Sequence, residues 1–235
     1  MSKRALIIGV IVLLLGGLGW WFFQSDNTYV PVEDAILLAD LPENTLTVIA
    51  FGDSLTAGYG VSHAEAYPAQ LETMLVQSGY HVSVINAGVS GETTRGNLER
   101  AHFIRLQNPD IVIIGIGGND ALRALPIEET RKNILATIDI LQSGEAPPRL
   151  LLLAMQAPLN AGFSYKKEFD SLYETIASER GLMLVPFITE DVFLDVANKL
   201  PDGIHYNKRG YQKVVDHYLF PRLVELLNEM EDRSR

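Results

Sequence analysis

From Thr47 onward, short apolar runs alternate with longer stretches of helical period, and this alternation narrows the possible folds more than any other feature of the chain. The runs are TVIAF (47–51), HVSVIN (81–86), IVIIGI (111–116), LLLLAM (150–155) and LMLVPF (182–187), with helices predicted near 67–78, 94–107, 126–142, 165–180 and 208–230. A strand with one wet face would interleave polar residues. These runs are almost continuously apolar, so both of their faces must be covered. Five such strands separated by helices predict an α/β domain with a parallel sheet between two helical layers. No repeat, low-complexity tract or second domain boundary interrupts the pattern, and about 190 residues are ample for one core.

Residues 5–23 (ALIIGVIVLLLGGLGWWFF) break this pattern: 19 residues without a polar or charged side chain. As a helix they would extend about 28 Å, close to the ~30 Å hydrocarbon core of a bilayer. Lys3 and Arg4 precede them, and Asp26, Glu33 and Asp34 follow. The positive-inside rule therefore predicts a cytoplasmic N-terminus (1–4), a transmembrane anchor (5–23), a stalk (24–46) whose Ile36–Leu41 patch can pack on the domain, and a domain over 47–230 across the membrane. For a bacterial cell this is the periplasmic side of the inner membrane. The competing reading is a cleaved signal peptide, leaving a periplasmic protein, although no A-x-A site precedes Gln24. Setting Lys3 and Arg4 aside leaves 17 basic against 29 acidic side chains, a net −12 outside the membrane. Such a surface does not adhere to anionic lipid, so the anchor must do the tethering. Nor does it suit a nucleic-acid partner, which requires a basic face. With no Cys in the chain, thiol nucleophiles, thiolate zinc sites, disulfides and cysteine-linked lipids are excluded.

Ligands of an open parallel sheet bind beyond the carboxyl ends of its strands. There the chain carries GDSLTAGYG (52–60) after the first run, NAGVSGETT (86–94) after the second, GGND (117–120) after the third, and DGIH (202–205) some way after the fifth. These four blocks, in this order, resemble the SGNH (GDSL) hydrolases, and within them the thioesterase I, lysophospholipase and arylesterase group. The likeness runs from about Thr47 to Leu227 and includes APLNAGFSYKKEF (157–169), similar to that group's substrate-side loop. It implies a three-layer, flavodoxin-like fold around a five-stranded parallel sheet. It also implies Ser54 as nucleophile, His205 as base, Asp202 as the residue that orients it, and Ser54, Gly91 and Asn119 as oxyanion-hole donors. One departure is that Tyr206 stands where the family often has proline after the histidine, which is expected to weaken slightly the rigidity of the His205 loop.

The residues support the same chemistry on their own terms. A serine hydroxyl is a poor nucleophile until a base takes its proton, and neutral imidazole suits that task near pH 7. Ser54 follows a strand and would open the next helix, where N-terminal amides favour negative charge; a capping serine is the commoner use of such a position. Asp202 and His205 lie three apart around a Pro-Asp-Gly turn, which lets the carboxylate reach the imidazole. Gly91 would let its amide approach a substrate closely, and Asn119 carries an NH₂ donor; in isolation either would read as a turn former. Each oxyanion donor is typically worth about 3–4 kcal/mol in the transition state. Asp53 reads as structural, holding the loop by accepting backbone N–H bonds. His63, His81, His102 and His217 lack a matched partner and read as ordinary surface or core residues. Asp202 and His205 do not make a metal site, having no further ligands at a recognisable spacing. No G-x-S-x-G elbow, P-loop or dinucleotide fingerprint is present, and no cofactor is implied.

Such a site serves acyl transfer to water, so a small-molecule or lipid ester or thioester is the expected substrate. Leu122, Arg123, Leu125, Leu159, Phe163 and Tyr165 lie in predicted loops after the third and fourth strands and could line an acyl groove with one cationic rim residue. Packing on the core accounts for them equally well. An O-acetyl esterase of envelope polysaccharide would instead need a shallow, polar and aromatic cleft. A tethered, non-catalytic binding protein would be expected to have lost the nucleophile or the base.

Overall fold

The computed structural model describes residues 44–234. The predicted cytoplasmic residues 1–4, the anchor 5–23 and stalk residues 24–43, with the Ile36–Leu41 patch, lie outside the described residues. Among the described residues no helix is long and apolar enough to cross a membrane.

The five apolar runs form the strands β1 (Leu46–Gly52), β2 (Val82–Gly88), β3 (Ile111–Gly115), β4 (Arg149–Ala154) and β5 (Met183–Pro186). They make one sheet of order β2-β1-β3-β4-β5 with every neighbour parallel, the flavodoxin-like arrangement. Ile49 of β1 faces Ile85 on one side and Val112 on the other, and Ile113 faces Leu151. The inner strands are buried on both faces, as their continuous apolar character requires. Pro186, which has no N–H to give a ladder, closes β5 at the sheet edge.

The helices are α1 (Ser54–Ala57), α2 (Tyr67–Gln77), α3 (Thr94–Leu106), α4 (Gly118–Leu122), α5 (Ile127–Leu141), α6 (Phe163–Arg180), α7 (Glu190–Phe193), α8 (Lys208–Val214) and α9 (Phe220–Ser234). Helix α3 packs on α5 and α5 on α6, forming one layer, while α2 packs with α8 and α9 in the other. Right-handed crossovers produce this division: the connection from β1 to β2 runs opposite to the later ones and places α2 on the other face.

Three details differ from the expectation. The helix opened by Ser54 is a single turn, α1, and the one-turn helices α4 and α7 were not predicted, because four or five residues are too short to display a helical period. The final helix is not uniform: a π-helical stretch, Val215–Leu219, separates α8 from α9. Helix α6 begins at Phe163, so Phe163 and Tyr165 occupy its first turn and not a loop, and Leu122 closes α4.

Beyond β1 the chain passes to β2 on one side, and β3 stands on the other. The loops leaving β1 and β3 therefore diverge at the C-terminal edge and open a crevice at this switch point. Ser54 follows one of these strands and Asn119 the other.

Candidate active site

Ser54 sits on a tight turn at the end of β1. Asp53 caps α1, its Oδ1 accepting the Leu55 amide at 3.0 Å, and Gly58 ends the single helical turn in a left-handed conformation. A helix of one turn supplies little field of its own, so negative charge beside Ser54 must be met by discrete donors. Asp53 itself is 1 % exposed. Burial pushes its carboxyl up to about 6, against the lowering effect of the Leu55 amide.

His205 arrives from the far end of the chain. Its Nε2 lies 2.9 Å from Ser54 Oγ and its Nδ1 2.7 Å from Asp202 Oδ2. Asp202 Oδ1 accepts the amides of Ile204 at 2.9 Å and His205 at 3.0 Å, a turn closed on its own side chain. Burial raises the Asp202 carboxyl, but the His205 amide, its imidazole and the Ile204 amide outweigh this and hold it below the ordinary aspartate value. An ionised carboxylate only accepts, so Nδ1 carries the proton and Nε2 offers its lone pair to the serine hydroxyl. The Tyr59 ring lies against the imidazole, with centroids 4.6 Å apart.

Tyr206 corrects the expectation of a looser loop. Its side chain is fully buried, its hydroxyl donates to the Phe187 carbonyl at 2.9 Å, and its ring packs edge-on against Phe187, Phe193 and Tyr211. A bridge to Lys199 and the Leu200 N–H bond to the His205 carbonyl complete the anchorage. The aromatic ring thus ties the residue after His205 into the core, where proline would stiffen only the backbone.

Two further loops converge on the same edge. Gly91 has φ +82°, and a Cβ built on it would meet no heavy atom of the protein within 4 Å. The backbone twist therefore calls for glycine here, and crowding by the protein does not. Arg123 Nη2 donates to the Gly91 carbonyl at 2.9 Å. Asn119, on α4, donates from Nδ2 to the Glu92 carbonyl at 3.0 Å; an NH₂ group has a second N–H, so this bond orients the amide and leaves one donor.

Asp120 escaped the sequence reading. Almost fully buried, it accepts the Thr94 amide at 2.8 Å, the Thr94 hydroxyl at 2.5 Å and the Thr130 hydroxyl at 3.3 Å. It fastens the start of α3 and the start of α5 beneath Asn119. The one available signal was an acid inside the GGND block, which does not reveal partners 26 and 10 residues away.

A groove of about 380 Å³ runs from Leu55 and Gly118, next to Ser54 and Asn119, and is lined by Leu122, Leu159, Ile188, Phe193 and Ile204 among others. Of the residues expected to line it, Leu122 and Leu159 do so. Arg123, Leu125, Phe163 and Tyr165 lie outside its wall. Phe163 is 85 % exposed. Tyr165 stacks on Phe169 and donates its hydroxyl to the Leu125 carbonyl at 2.9 Å. His63, His81, His102 and His217 are all exposed, and the hydrogen-bonded line is made by Ser54, His205 and Asp202. Among the described residues no cluster of three or more His, Asp or Glu could hold a metal ion.

Residues 50–213 match the GDSL-like Lipase/Acylhydrolase family. Over 201 residues the chain is 33 % identical to the thioesterase 1/protease 1/lysophospholipase L1 of Escherichia coli K12, covering 85 % of this chain and 94 % of that protein. It is 31 % identical over 159 residues to an arylesterase of Vibrio mimicus, covering 67 % and 78 % respectively. Among solved structures, the psychrotrophic esterase EstA of Pseudoalteromonas, inhibited by monoethylphosphonate, superposes with a TM-score of 0.72 at 28 % identity, covering 77 % of this chain and 98 % of that one.

Proposed function

The chain belongs to the GDSL-like lipase/acylhydrolase family and is a serine esterase, and we propose from this premise that Ser54, His205 and Asp202 carry its turnover. The observation that supports these roles is the unbroken line from Ser54 Oγ through both nitrogens of His205 to Asp202. In this reading His205 Nε2 accepts the Ser54 proton as Oγ attacks the ester or thioester carbonyl. The oxyanion of the tetrahedral intermediate takes hydrogen bonds from the Ser54 and Gly91 amides and from Asn119 Nδ2. His205 then passes its proton to the departing alcohol or thiol, leaving an acyl-Ser54. Water, deprotonated by the same nitrogen, releases the acid and restores the serine. Asp202 stays ionised throughout and stabilises the imidazolium formed at each attack.

We also propose that the acyl portion lies in the groove beside Ser54 and derives from aliphatic, lipid-like esters. The side chains of Leu122, Leu159, Ile188, Phe193 and Ile204 support this, since a polysaccharide O-acetyl group would be better matched by a polar, aromatic cleft. For location, we propose that residues 5–23 anchor the enzyme with its domain on the extracytoplasmic face of a bacterial inner membrane, or direct its export if cleaved. The uncharged run and its flanking charges support this reading.

The test is a fluorophosphonate label together with an acyl-chain series. Labelling of the intact protein that disappears in Ser54→Ala supports the nucleophile; no labelling of folded wild-type protein would reject it. Leu159→Ser, at an exposed groove rim, should leave acetyl-ester turnover unchanged and lower kcat/KM for octanoyl and longer esters by roughly 3- to 10-fold, about 1 kcal/mol of lost apolar contact. Equal kcat/KM for all chain lengths in wild type would reject the acyl groove.

A further inference from the structure

Three donors from three different loops can form an oxyanion hole only if those loops keep a fixed relation to one another. The structure joins them through a pair of residues outside the groove wall. Arg100, on α3, donates from Nε to Glu92 Oε1 at 3.0 Å and Oε2 at 2.7 Å. Its Nη2 donates to the Gly52 carbonyl at 2.9 Å, and its guanidinium lies over the Phe51 ring, 4.4 Å from the centroid. Gly52 is two residues before Ser54, and its carbonyl also accepts the Val89 amide at 3.0 Å. Glu92 follows Gly91 directly. Its carboxylate also receives Asn97 Nδ2 at 2.5 Å, and its carbonyl is the acceptor that orients Asn119. One guanidinium–carboxylate pair therefore connects the end of β1, the Gly91 turn and the Asn119 amide.

The side chains of Arg100 and Glu92 are only 22 % and 13 % exposed. A pair so far out of water gains little stability, because desolvation offsets most of its attraction; what a multidentate, planar contact adds is geometric definition. The helix that carries Arg100 also makes room for Glu92. A Cβ on Gly96 would stand 2.7 Å from Glu92 Cγ, so any larger residue there would displace the Glu92 side chain.

We propose that Arg100 is a positioning residue of the oxyanion hole, acting through Glu92 to hold the Ser54, Gly91 and Asn119 donors in a common geometry. The inference rests on the catalytic reading above. Displacing donors without deleting them should cost less than the 10²- to 10³-fold loss known for removing one, and should act on the transition state and not on ground-state binding.

The experiment compares the full-length wild-type chain with Arg100→Gln, Arg100→Ala and Glu92→Gln, measuring kcat and KM for a chromogenic ester, the Ki of a trifluoromethyl ketone and the thermal midpoint. The ketone adds to the serine hydroxyl and places an oxyanion in the hole. Arg100→Gln should lower kcat roughly 10- to 100-fold, weaken the ketone by a similar factor and leave KM within about threefold. Glu92→Gln should show the same pattern more weakly. Millimolar guanidinium should restore part of the lost kcat in Arg100→Ala and none in Arg100→Gln. A folded Arg100→Gln with kcat within twofold of wild type would overturn the proposal, as would a loss confined to KM or one that leaves the ketone's Ki unchanged. If the Arg100 variants do not fold, Gly96→Ala carries the test by displacing Glu92 alone: a kcat-selective loss is expected, and full kcat refutes the role. Failure of Ser54 labelling in wild type would instead reject the catalytic reading itself.

Discussion

Replacing Asp202 by asparagine and by alanine should reverse the usual relation between conservative change and activity. Asp202 has two separate duties. Oδ1 accepts the amides of Ile204 and His205, and Oδ2 accepts Nδ1–H of the imidazole. Asparagine can keep the first duty only by placing its carbonyl oxygen on the two amides, and its NH₂ group then points at Nδ1. That nitrogen must become an acceptor, which moves the proton to Nε2, and Nε2 can no longer take the Ser54 proton. In a serine protease the same exchange costs about 10⁴ in kcat. A loss of roughly 10³- to 10⁴-fold is expected here, about 4–5.5 kcal/mol of transition-state stabilisation. Alanine loses both backbone bonds at a mostly exposed turn, about 1–2 kcal/mol, and should lower the thermal midpoint by roughly 2–8 °C. It leaves the productive tautomer accessible, however. Asp202→Asn should therefore be the more stable protein and the poorer enzyme. Steady-state kcat on a chromogenic ester and a thermal melt of each variant decide the matter. If Asp202→Asn retains more than a tenth of wild-type kcat, or exceeds Asp202→Ala, the assignment of the two oxygens is wrong.

Two other outcomes follow from buried polar groups around the site. The Asp53 carboxyl, raised by burial from 3.8 to about 6, binds a proton in the folded state that the unfolded chain has already released, so stability is gained as pH falls through about 6 toward 4 and withheld above it. Asp53→Asn should remove that slope: its stability relative to wild type should improve between pH 4 and pH 7 by about 2–3 kcal/mol, read from urea midpoints, and a pH-independent difference would refute the buried-acid reading. Tyr206→Phe deletes the hydroxyl that donates to the Phe187 carbonyl inside a fully buried aromatic cluster. It should destabilise the fold by about 1–2 kcal/mol in a denaturant melt, and an unchanged midpoint would show that the bond does not anchor the His205 loop.

The strands were legible because their cause is local. Continuous apolar residues in 111–116 and 150–155 can only be satisfied inside a covered sheet, and the same argument set the fold class. Asp202 and His205 were legible as a pair because the turn that joins them spans three residues. The short helices α4 and α7 were not, since a single turn carries no period. Tyr165 shows the limit for side chains: its composition suited a groove wall, but the register of α6 turned it onto Phe169 and the Leu125 carbonyl.

The sequence by itself thus determined the order of strands and helices along the chain, the blocks at the strand ends and the kind of chemistry they can perform. Tertiary structure decided the contacts through which those blocks meet and the residues that brace them. Ser54 reaches His205 across 151 residues, Asp120 reaches Thr94 across 26, and Arg100 reaches Gly52 across 48. Such bonds leave no local pattern: they form where β1 and β3 part at the switch point, because burial and the hand of the crossovers bring those loops to one edge of the sheet.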